Sequence, residues 1–395
     1  MPTADVVVVG AGIVGLAVAR QVLIDRPRAR VVVVDKAGEV AAGQTGHNSG
    51  VIHAGLYYAP GSLKARLCRA GEAATKAYCC ERGVRYDEIG KLVVATDDSQ
   101  RERLSGLRER GLANGIDVAE IDTPELRRLE PAVRGVAALL SPKTGIVDYR
   151  EVCRALAEDV SQRGGTIALG QVVTGIRETA AEVCTTTSQH TFLAGQLIAC
   201  AGLQADRIAR AGGVSTATRI VPFRGEYYAL PPHLGGVVSR LIYPVPDPTL
   251  PFLGVHVSPM IGGSVIVGPN AVLGLAREGY PKGSVNLRDL ADIVGYPGLW
   301  HLARRNLLTG ATEVLDSLIK RRYLHRVQRY LPQLRTADLR PHPAGIRAQA
   351  LRPDGTLVED FDIAQTARQL HILNAPSPAA TSALPIAREV TSRLG

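Results

Sequence analysis

Residues 5–36 read DVVVVGAGIVGLAVARQVLIDRPRARVVVVDK, and this stretch decides the fold of the first domain. The four-valine run at 6–9 is typical of a buried strand in a parallel sheet, and the apolar stretch at 13–23 favours a helix. A second valine run at 31–34 completes a β-α-β unit. We therefore predict a Rossmann-like, nucleotide-binding domain at this point of the chain.

The turn between the first strand and the helix carries the pattern G-x-G-x-x-G. Gly10 allows a tight turn, Gly12 lets the backbone approach a pyrophosphate, and Gly15 allows close packing of helix on strand. The helix N-terminus adds free N–H groups and a positive dipole end. Asp35 ends the second strand and is placed to bind the adenosine ribose, although Lys36 beside it leaves the choice of dinucleotide open. The predicted cofactor residues of this unit are Gly10, Gly12, Ile13, Val14, Gly15, Asp35 and Lys36.

The composition is that of a folded protein with two domains: 395 residues, 46% hydrophobic and 21% charged. The net charge of +9 is spread along the chain and favours small anions or an acidic membrane surface. No nucleic-acid-binding motif is present, so nucleic acid is not an expected partner. Six cysteines without a CxxC spacing indicate reduced thiols and no metal site. The first apolar segment is too short to span a bilayer, so we expect a cytoplasmic protein, at most peripheral on the inner face of the membrane.

The rest of the chain predicts a second domain inserted into the first. Short β runs separated by turn residues between 219 and 275 indicate an antiparallel sheet, and residues 300–331 are helical and basic. The chain closes with a strand, a turn rich in Pro, Ser and Ala, and a helix that starts near Thr381. The predicted cofactor domain comprises residues 1–85, 145–215 and 336–395, and the predicted substrate domain comprises residues 86–144 and 216–335.

The segment from Val40 to Leu63 contains no Asp, Glu, Lys or Arg, yet it carries His47, His53 and several glycines. A surface loop normally carries charge, and a core strand does not carry His, Asn and Ser so close together. A further βα unit, as expected in a nicotinamide dehydrogenase, does not follow Asp35. The segment therefore predicts a binding surface rather than a plain connection.

These residues resemble the FAD-dependent oxidoreductases of the D-amino-acid oxidase superfamily, and within it the L-2-hydroxyglutarate oxidase/dehydrogenase family. The resemblance extends from residue 8 to residue 387. It rests on the segments GAGIVGLA, QTGHNSGVIHAGLYYAPGSLKARLCRAG, PFRGEYYAL, PFLGVHVSP, VGPNAVLGLAREGY, PAGIRAQ and LNAPSPAATSALPIA. It implies an α/β (α+β overall) fold, in which a Rossmann-like FAD-binding domain joins a mainly antiparallel substrate domain.

The resemblance implies that the segment after Asp35 runs along the flavin ring and that the C-terminal turn faces the flavin pyrimidine. A helix N-terminus at that turn would stabilise negative charge on the reduced ring. The further cofactor residues that it implies are Thr45, Gly46, Asn48, Ser49, Val173, Ala201, Gly202, Gly345, Pro378, Ala379, Ala380 and Thr381.

His53 is the expected general base, because a histidine near neutrality can take the proton of a substrate hydroxyl as hydride leaves the carbon. Two alternatives stay open for it: packing against the flavin ring, and covalent attachment of the flavin. Arg347 is expected to bind the substrate carboxylate, since a guanidinium suits planar recognition. The expected contacts for the remainder of the substrate are Arg224, Tyr228, His256 and Lys64.

The expected reaction is oxidation of L-2-hydroxyglutarate to 2-oxoglutarate. The alternatives are another small substrate such as glycerol 3-phosphate or an amino acid, a nicotinamide-dependent enzyme, and a flavin-binding subunit without turnover. Oxygen, a quinone and a carrier protein are all candidate electron acceptors. The basic stretch at 320–329 is either a solvated helix face or a contact with anionic lipid.

Overall fold

We describe a computed structural model of the chain over residues 3–247 and 254–394, without the side chains at 307–309 and 311. Residues 251–253, which open the segment PFLGVHVSP, lie outside the described residues. The strands are β1 (Thr3–Val9), β2 (Val31–Val34), β3 (Val51–Ile52), β4 (Tyr86–Glu88), β5 (Lys91–Ala95), β6 (Ala119–Asp122), β7 (Ala137–Ser141), β8 (Gly145–Val147), β9 (Thr166–Ala168), β10 (Val173–Glu178), β11 (Val183–Thr187), β12 (Thr191–Ala199), β13 (Arg219–Ala229), β14 (Leu241–Pro244), β15 (His256–Pro259), β16 (Val265–Gly268), β17 (Val272–Leu273), β18 (Arg340–Leu351), β19 (Asp362–Gln365) and β20 (Gln369–Asn374).

The helices alternate with these strands in the first half of the chain and cluster near residue 300 in the second half. They are α1 (Ile13–Asp25), α2 (Leu63–Arg82), α3 (Arg101–Ala113), α4 (Thr123–Leu129), α5 (Tyr149–Gln162), α6 (Ala205–Ala211), α7 (Leu287–Val294), α8 (Pro297–Arg305), α9 (Leu307–Leu318), α10 (Lys320–Gln328) and α11 (Ala383–Thr391). The basic stretch that the sequence predicted as helical at 300–331 is thus divided among three helices.

The first sheet has eight strands in the order β10-β11-β12-β1-β2-β9, with β20 on β12 and β19 on β20. Strand β1 pairs in parallel with both β2 and β12, and β12 pairs in parallel with β20. Because both faces are covered, β1 and β2 are almost entirely buried, as their valine runs predict. Helices α1, α5 and α11 pack on one face through a shared apolar core. The predicted Rossmann-like unit is confirmed.

The second sheet has nine strands in the order β17-β13-β16-β15-β14-β5-β7-β6, with β18 on β13. It is mainly antiparallel, and only the β14–β5 pair runs in parallel. One of its faces packs under α10, and the other packs against the segment around residues 51–56. A third, smaller sheet has three strands in the order β3-β8-β4.

Strand β18 corrects one part of the expected arrangement. The sequence assigned residues 336–395 to the cofactor domain as one piece, but β18 pairs with β13 along most of its length. Only β19 and β20 of that segment join the first sheet. The reason is that β18 is long and half-buried, so it finds its ladder partner in the equally long β13. The remaining domain boundaries stay a prediction.

No helix within residues 3–247 and 254–394 is long and apolar enough to cross a membrane. Over the same residues, no group of three or more His, Cys, Asp or Glu side chains could hold a metal ion.

Candidate active site

His53 follows the short strand β3 and is fixed from both sides through its main chain. Its N–H donates to the Thr381 hydroxyl at 3.1 Å, and its carbonyl accepts from Cys68 Sγ at 3.3 Å. The Thr381 hydroxyl also lies 2.9 Å from the Tyr149 hydroxyl and 3.3 Å from the carbonyl of Val51. Thr381 is fully buried. The charge-poor segment and the C-terminal turn, which are distant in sequence, therefore meet at His53.

One face of the second sheet closes over this segment. Gly268 of β16 pairs in register with His256 of β15, and a methyl group on Gly268 would meet the Tyr227 ring at 2.8 Å. The His256 ring stacks on the Tyr243 ring with centroids 3.9 Å apart. A side chain larger than glycine at 268 would therefore press on the Tyr227 ring. Tyr227, Tyr243 and His256 are three aromatic side chains of this part of the sheet.

Cationic groups surround His53. Burial holds the pKa of His53 well below its usual value of 6.5, and the positive charges of Lys91, Arg347 and Lys64 lower it further. Burial also lowers the pKa of His256 to about 3, although a hydrogen bond from its Nδ1 to the Gly254 carbonyl opposes the shift. Both imidazoles are therefore neutral at physiological pH, and each keeps a nitrogen lone pair that can accept a proton.

Arg347 reaches the same space from β18. Burial lowers the pKa of Arg347, and the nearby phenols of Tyr227, Tyr58 and Tyr243 oppose that shift. The charge of Arg347 in turn acts on His53 and Lys64. His53 and Arg347 are therefore close enough for the charge of one to act on the other, and their expected roles at the substrate stay a prediction.

The cofactor residues of the β-α-β unit fit a dinucleotide. Gly10 has φ 112°, and a side chain on it would meet the Cys200 carbonyl at 2.4 Å. Gly12 provides no side-chain cap for α1, so the N–H groups of its first turn, apart from that of Ile13, which donates to Thr45, can face a phosphate. The Asp35 carboxylate accepts from the Ala11 N–H at 2.6 Å, which holds the acid against the glycine turn. This cradle fits FAD.

The loop after β2 meets the same turn. Thr45 Oγ1 accepts from the N–H of Ile13 at 3.2 Å, and Asn48 closes the loop by donating to the Thr45 carbonyl at 2.5 Å. The Ser49 hydroxyl is within hydrogen-bonding reach of the Tyr227 phenol. A cavity of about 300 Å³ lies between this loop and Tyr227. The loop therefore lines this cavity with polar groups and contributes no carboxylate to it.

Close backbone packing explains several other predicted cofactor positions. A side chain on Gly46 would meet the Ala41 carbonyl at 2.5 Å, and one on Gly345 would meet the His47 carbonyl at 2.6 Å. Gly202 follows Ala201 at the end of β12, and a side chain there would meet Gln44 at 2.9 Å. The remaining predicted cofactor positions lie in other elements: Val14 and Gly15 in the first turn of α1, Val173 at the start of β10, and Pro378, Ala379 and Ala380 in the turn before α11.

Two expected substrate contacts lie elsewhere. Neighbouring residues of a strand point to opposite faces, so Arg224 and Tyr228 point away from the face that carries Tyr227. Arg224 pairs with Glu226 at 2.6 Å. Tyr228 packs edge-on against Tyr323, with centroids 4.9 Å apart. The strand thus turns both side chains to the face opposite Tyr227, and their expected role as substrate contacts stays a prediction that this orientation does not favour.

Lys36 was expected to bind the cofactor, and Lys64 was expected to bind the substrate. The Lys36 ammonium forms an ion pair with Glu278. Lys64 lies at the site, with its ammonium 4.6 Å from the centre of the Tyr58 ring and 3.4 Å from the Glu359 carbonyl. Lys91, Tyr57, Tyr58 and Tyr243 were not predicted from the sequence, whereas Tyr227 and Tyr228 were both considered as pocket-lining residues. Lys91 could have been noticed as a cation that heads the apolar strand KLVVA.

Comparisons with known proteins agree with this geometry. Residues 5–393 match the family of FAD dependent oxidoreductases. The L-2-hydroxyglutarate dehydrogenase of Escherichia coli K12 is 47% identical over 391 residues, which cover 99% of this chain and 93% of that protein. The human mitochondrial L-2-hydroxyglutarate dehydrogenase is 42% identical over 403 residues, covering 97% and 86%.

Solved structures give the same fold. An FAD-bound L-alpha-glycerophosphate oxidase from Mycoplasma pneumoniae has a TM-score of 0.82 at 25% identity, covering 100% of this chain and 95% of that one. Glycine oxidase from Geobacillus kaustophilus has a TM-score of 0.75 at 17% identity over 100% and 95%. The protein is therefore an FAD-dependent oxidoreductase. Its chain belongs to the family of the L-2-hydroxyglutarate dehydrogenases.

Proposed function

We propose that this enzyme oxidises L-2-hydroxyglutarate to 2-oxoglutarate. The observation that carries the proposal is the convergence of Arg347, Lys64 and Lys91 on one neutral histidine. A dicarboxylate is the small ligand whose charge this set complements. The proposal is supported by relatives at 42–47% identity that act on this acid by name.

Arg347 binds the carboxylate next to the reacting carbon, because its guanidinium can form two parallel hydrogen bonds to a planar anion. This contact sets the hydroxyl toward His53. The rings of Tyr58, Tyr227 and Tyr243, which lie near Arg347, exclude water from the space between Arg347 and His53. The exclusion of water strengthens each electrostatic contact. Binding and orientation thus come from residues of both sheets.

His53 accepts the hydroxyl proton at an imidazole nitrogen. In the free protein its neighbours are cations, which hold its pKa low. An anionic substrate among those cations offsets their charge and raises the pKa of His53 toward the range in which it is an effective base. FAD, when bound, supplies the acceptor for the hydride that leaves the α-carbon. The proton on His53 afterwards returns to solvent.

The test is anaerobic mixing of the FAD-loaded protein with L-2-hydroxyglutarate, its D isomer, glycerol 3-phosphate, glycine and L-proline, followed by flavin absorbance. We expect bleaching by L-2-hydroxyglutarate at a rate at least 100-fold above the others, since a misoriented hydroxyl cannot reach the base (about 100-fold for a misplacement near 1 Å). Faster bleaching by glycerol 3-phosphate, the substrate class of the structural neighbour from Mycoplasma pneumoniae, would overturn the proposal.

We also propose that the helices α7, α8 and α9 rest on an anionic membrane surface. Of the basic residues at 320–329, Arg322 and Arg326 pair with Asp316, and Arg329 pairs with Asp97. The stronger signal is apolar: Leu287 is 80% exposed, Leu318 69% and Trp300 52%. Exposed cations at 288, 304 and 305 accompany these side chains.

Trp300 is the one tryptophan of the chain, so its emission reports on this surface directly. We expect a blue shift and co-sedimentation with phosphatidylglycerol vesicles, and neither with phosphatidylcholine vesicles. Leu287→Ser combined with Leu318→Ser should abolish both signals. Leu112→Ser, at an exposed leucine of α3, is the control and should abolish neither. Undiminished binding by the double variant would refute the proposed surface.

A further inference from the structure

Lys91 is fully buried, and its ammonium has no hydrogen-bond partner among residues 3–247 and 254–394. It is the first residue of β5, where it pairs with Leu241 of β14 on one side and with Ser141 of β7 on the other. A lysine ammonium that loses water normally gains a carboxylate or several acceptors in exchange. Lys91 instead lies over two aromatic rings, 4.6 Å from the centre of Tyr57 and 5.4 Å from the centre of Tyr243.

The position of Lys91 relates it to the active site. Its neighbour Tyr243 stacks on His256, and its charge acts on both His53 and His256. Among the charged groups that act on His53, Lys91 has the largest effect, ahead of Arg347 and Lys64. The ammonium therefore lies beside the ring that stacks on His256.

Two other cations, Lys64 and Arg224, already have negatively charged groups beside them. Lys64 lies beside Glu359 and Asp360, and its ammonium donates to the Glu359 carbonyl. Arg224 is paired with Glu226 on the far face of the sheet. The negative groups that act on Lys91 are Cys68 and Glu72, both from α2. Cys68 is neutral because burial raises the pKa of its thiol to about 12, and Glu72 is paired with Arg69 and Lys76.

We infer that Lys91 determines specificity for a dianionic substrate. Its unpaired positive charge, which lies beside the rings of Tyr57 and Tyr243, attracts the second carboxylate while Arg347 binds the first. This inference rests on the proposed function and names the group that recognises the distal end of the substrate. Contact is not required. Where water is excluded, a charge acts over several ångströms, and one unit charge at about 8–10 Å changes binding about tenfold or more.

The structure gives a physical reason for a buried, unpaired lysine here. An isolated buried cation destabilises the fold, and burial lowers the pKa of Lys91 to about 8. A protein retains such a group where the missing counter-charge arrives with a ligand. A monocarboxylate satisfies Arg347 alone, whereas a dicarboxylate also recovers the Coulomb energy of Lys91.

The test uses unreactive ligands of equal length: glutarate, with two carboxylates, and valerate, with one. Their dissociation constants are measured on the FAD-loaded protein from the perturbation of flavin absorbance. At pH 7, we expect the preference for glutarate over valerate, measured as the ratio of their dissociation constants, to be about tenfold larger in the wild-type protein than in Lys91→Met. Leu241→Met, at the buried position paired with Lys91, is the control for repacking and should keep the wild-type ratio.

A second measurement needs no variant. Because the pKa of Lys91 is about 8, raising the pH from 7 to 9 should lower the glutarate preference of the wild-type protein. The groups that face Lys91 from neighbouring elements are Tyr57, Cys68, Glu72 and Tyr243. Burial raises the pKa values of Tyr57, Cys68 and Tyr243 above this range. In Lys91→Met the preference should not change with pH.

An unchanged glutarate-to-valerate ratio in Lys91→Met, or a wild-type ratio that does not fall between pH 7 and 9, overturns the inference. A purely structural role would weaken both ligands equally and also leave the ratio unchanged. If L-2-hydroxyglutarate fails to reduce the flavin of the wild-type protein, the proposed function fails instead. The two failures are therefore distinguishable.

Discussion

Thr381→Val is the substitution that most sharply tests how the site is assembled. Valine has nearly the shape of threonine, so the change removes a hydroxyl from a fully buried position without opening a cavity. That hydroxyl accepts from the His53 N–H at 3.1 Å and bonds Tyr149 at 2.9 Å. Its loss leaves the His53 N–H without its partner at the point where the C-terminal turn meets β3.

The magnitude follows from the two contacts. An unsatisfied buried N–H costs about 1–3 kcal/mol, and the lost bond to Tyr149 adds about 1 kcal/mol. We therefore expect Thr381→Val to lower the free energy of unfolding by about 2–4 kcal/mol. Thr381→Ser keeps the hydroxyl and loses one methyl group, so it should lower the free energy of unfolding by about 1 kcal/mol.

Two assays separate the fold from the site. Urea unfolding of the FAD-loaded protein, followed by flavin fluorescence, gives the free energies of unfolding. Anaerobic reduction by L-2-hydroxyglutarate gives the rate, which should fall about 10- to 100-fold in Thr381→Val because the imidazole moves with its main chain. The reasoning is refuted if Thr381→Val matches the wild-type protein in both assays, or if Thr381→Ser is the more damaged variant.

Three further predictions concern single positions. Lys91→Met should raise the free energy of unfolding by up to about 3 kcal/mol at pH 7. The pKa of Lys91 is about 8 in the folded protein and ordinarily 10.5, so the gain should be full below pH 8 and vanish as the pH rises to 10.5. A gain that does not depend on pH would contradict this prediction. Gly10→Ala should prevent FAD binding, because the new methyl group would meet the Cys200 carbonyl at 2.4 Å; normal FAD content after purification would count against the cradle. Tyr227→Phe should slow flavin reduction several-fold and Tyr228→Phe should not, and the opposite order in stopped-flow rates would reverse the assignment of the two faces.

The local signals in the sequence predicted most of the fold. The two valine runs and the glycine turn determine β1, α1 and β2, because parallel strands are buried on both faces and a helix can pack on them only where glycine permits it. The position of β18 could not be predicted in this way. Its pairing with β13 joins residues more than a hundred positions apart, and nothing in residues 340–351 themselves distinguishes one sheet from the other.

The site was predictable where it depends on position along the chain. His53 and Thr381 were expected near the flavin, and Arg347 was expected at the substrate carboxylate. A hydrogen bond joins His53 to Thr381, and the charge of Arg347 acts on His53, while their roles stay predictions. Arg224 and Tyr228 were misplaced because a strand one residue out of phase turns its side chains to the opposite face. Lys91 was missed because a lysine at a strand end is normally a solvated cation, and only the tertiary fold removes its water and its partners.

The central claim is that His53 and Arg347 serve one substrate in one space, with different tasks. Stopped-flow reduction by L-2-hydroxyglutarate under anaerobic conditions, over a range of substrate concentrations, tests it most directly in His53→Asn and Arg347→Met. We predict that His53→Asn loses about 100-fold or more in the limiting rate with little change in substrate affinity, whereas Arg347→Met loses mainly affinity. A normal limiting rate in His53→Asn, or a normal affinity in Arg347→Met, would contradict the account.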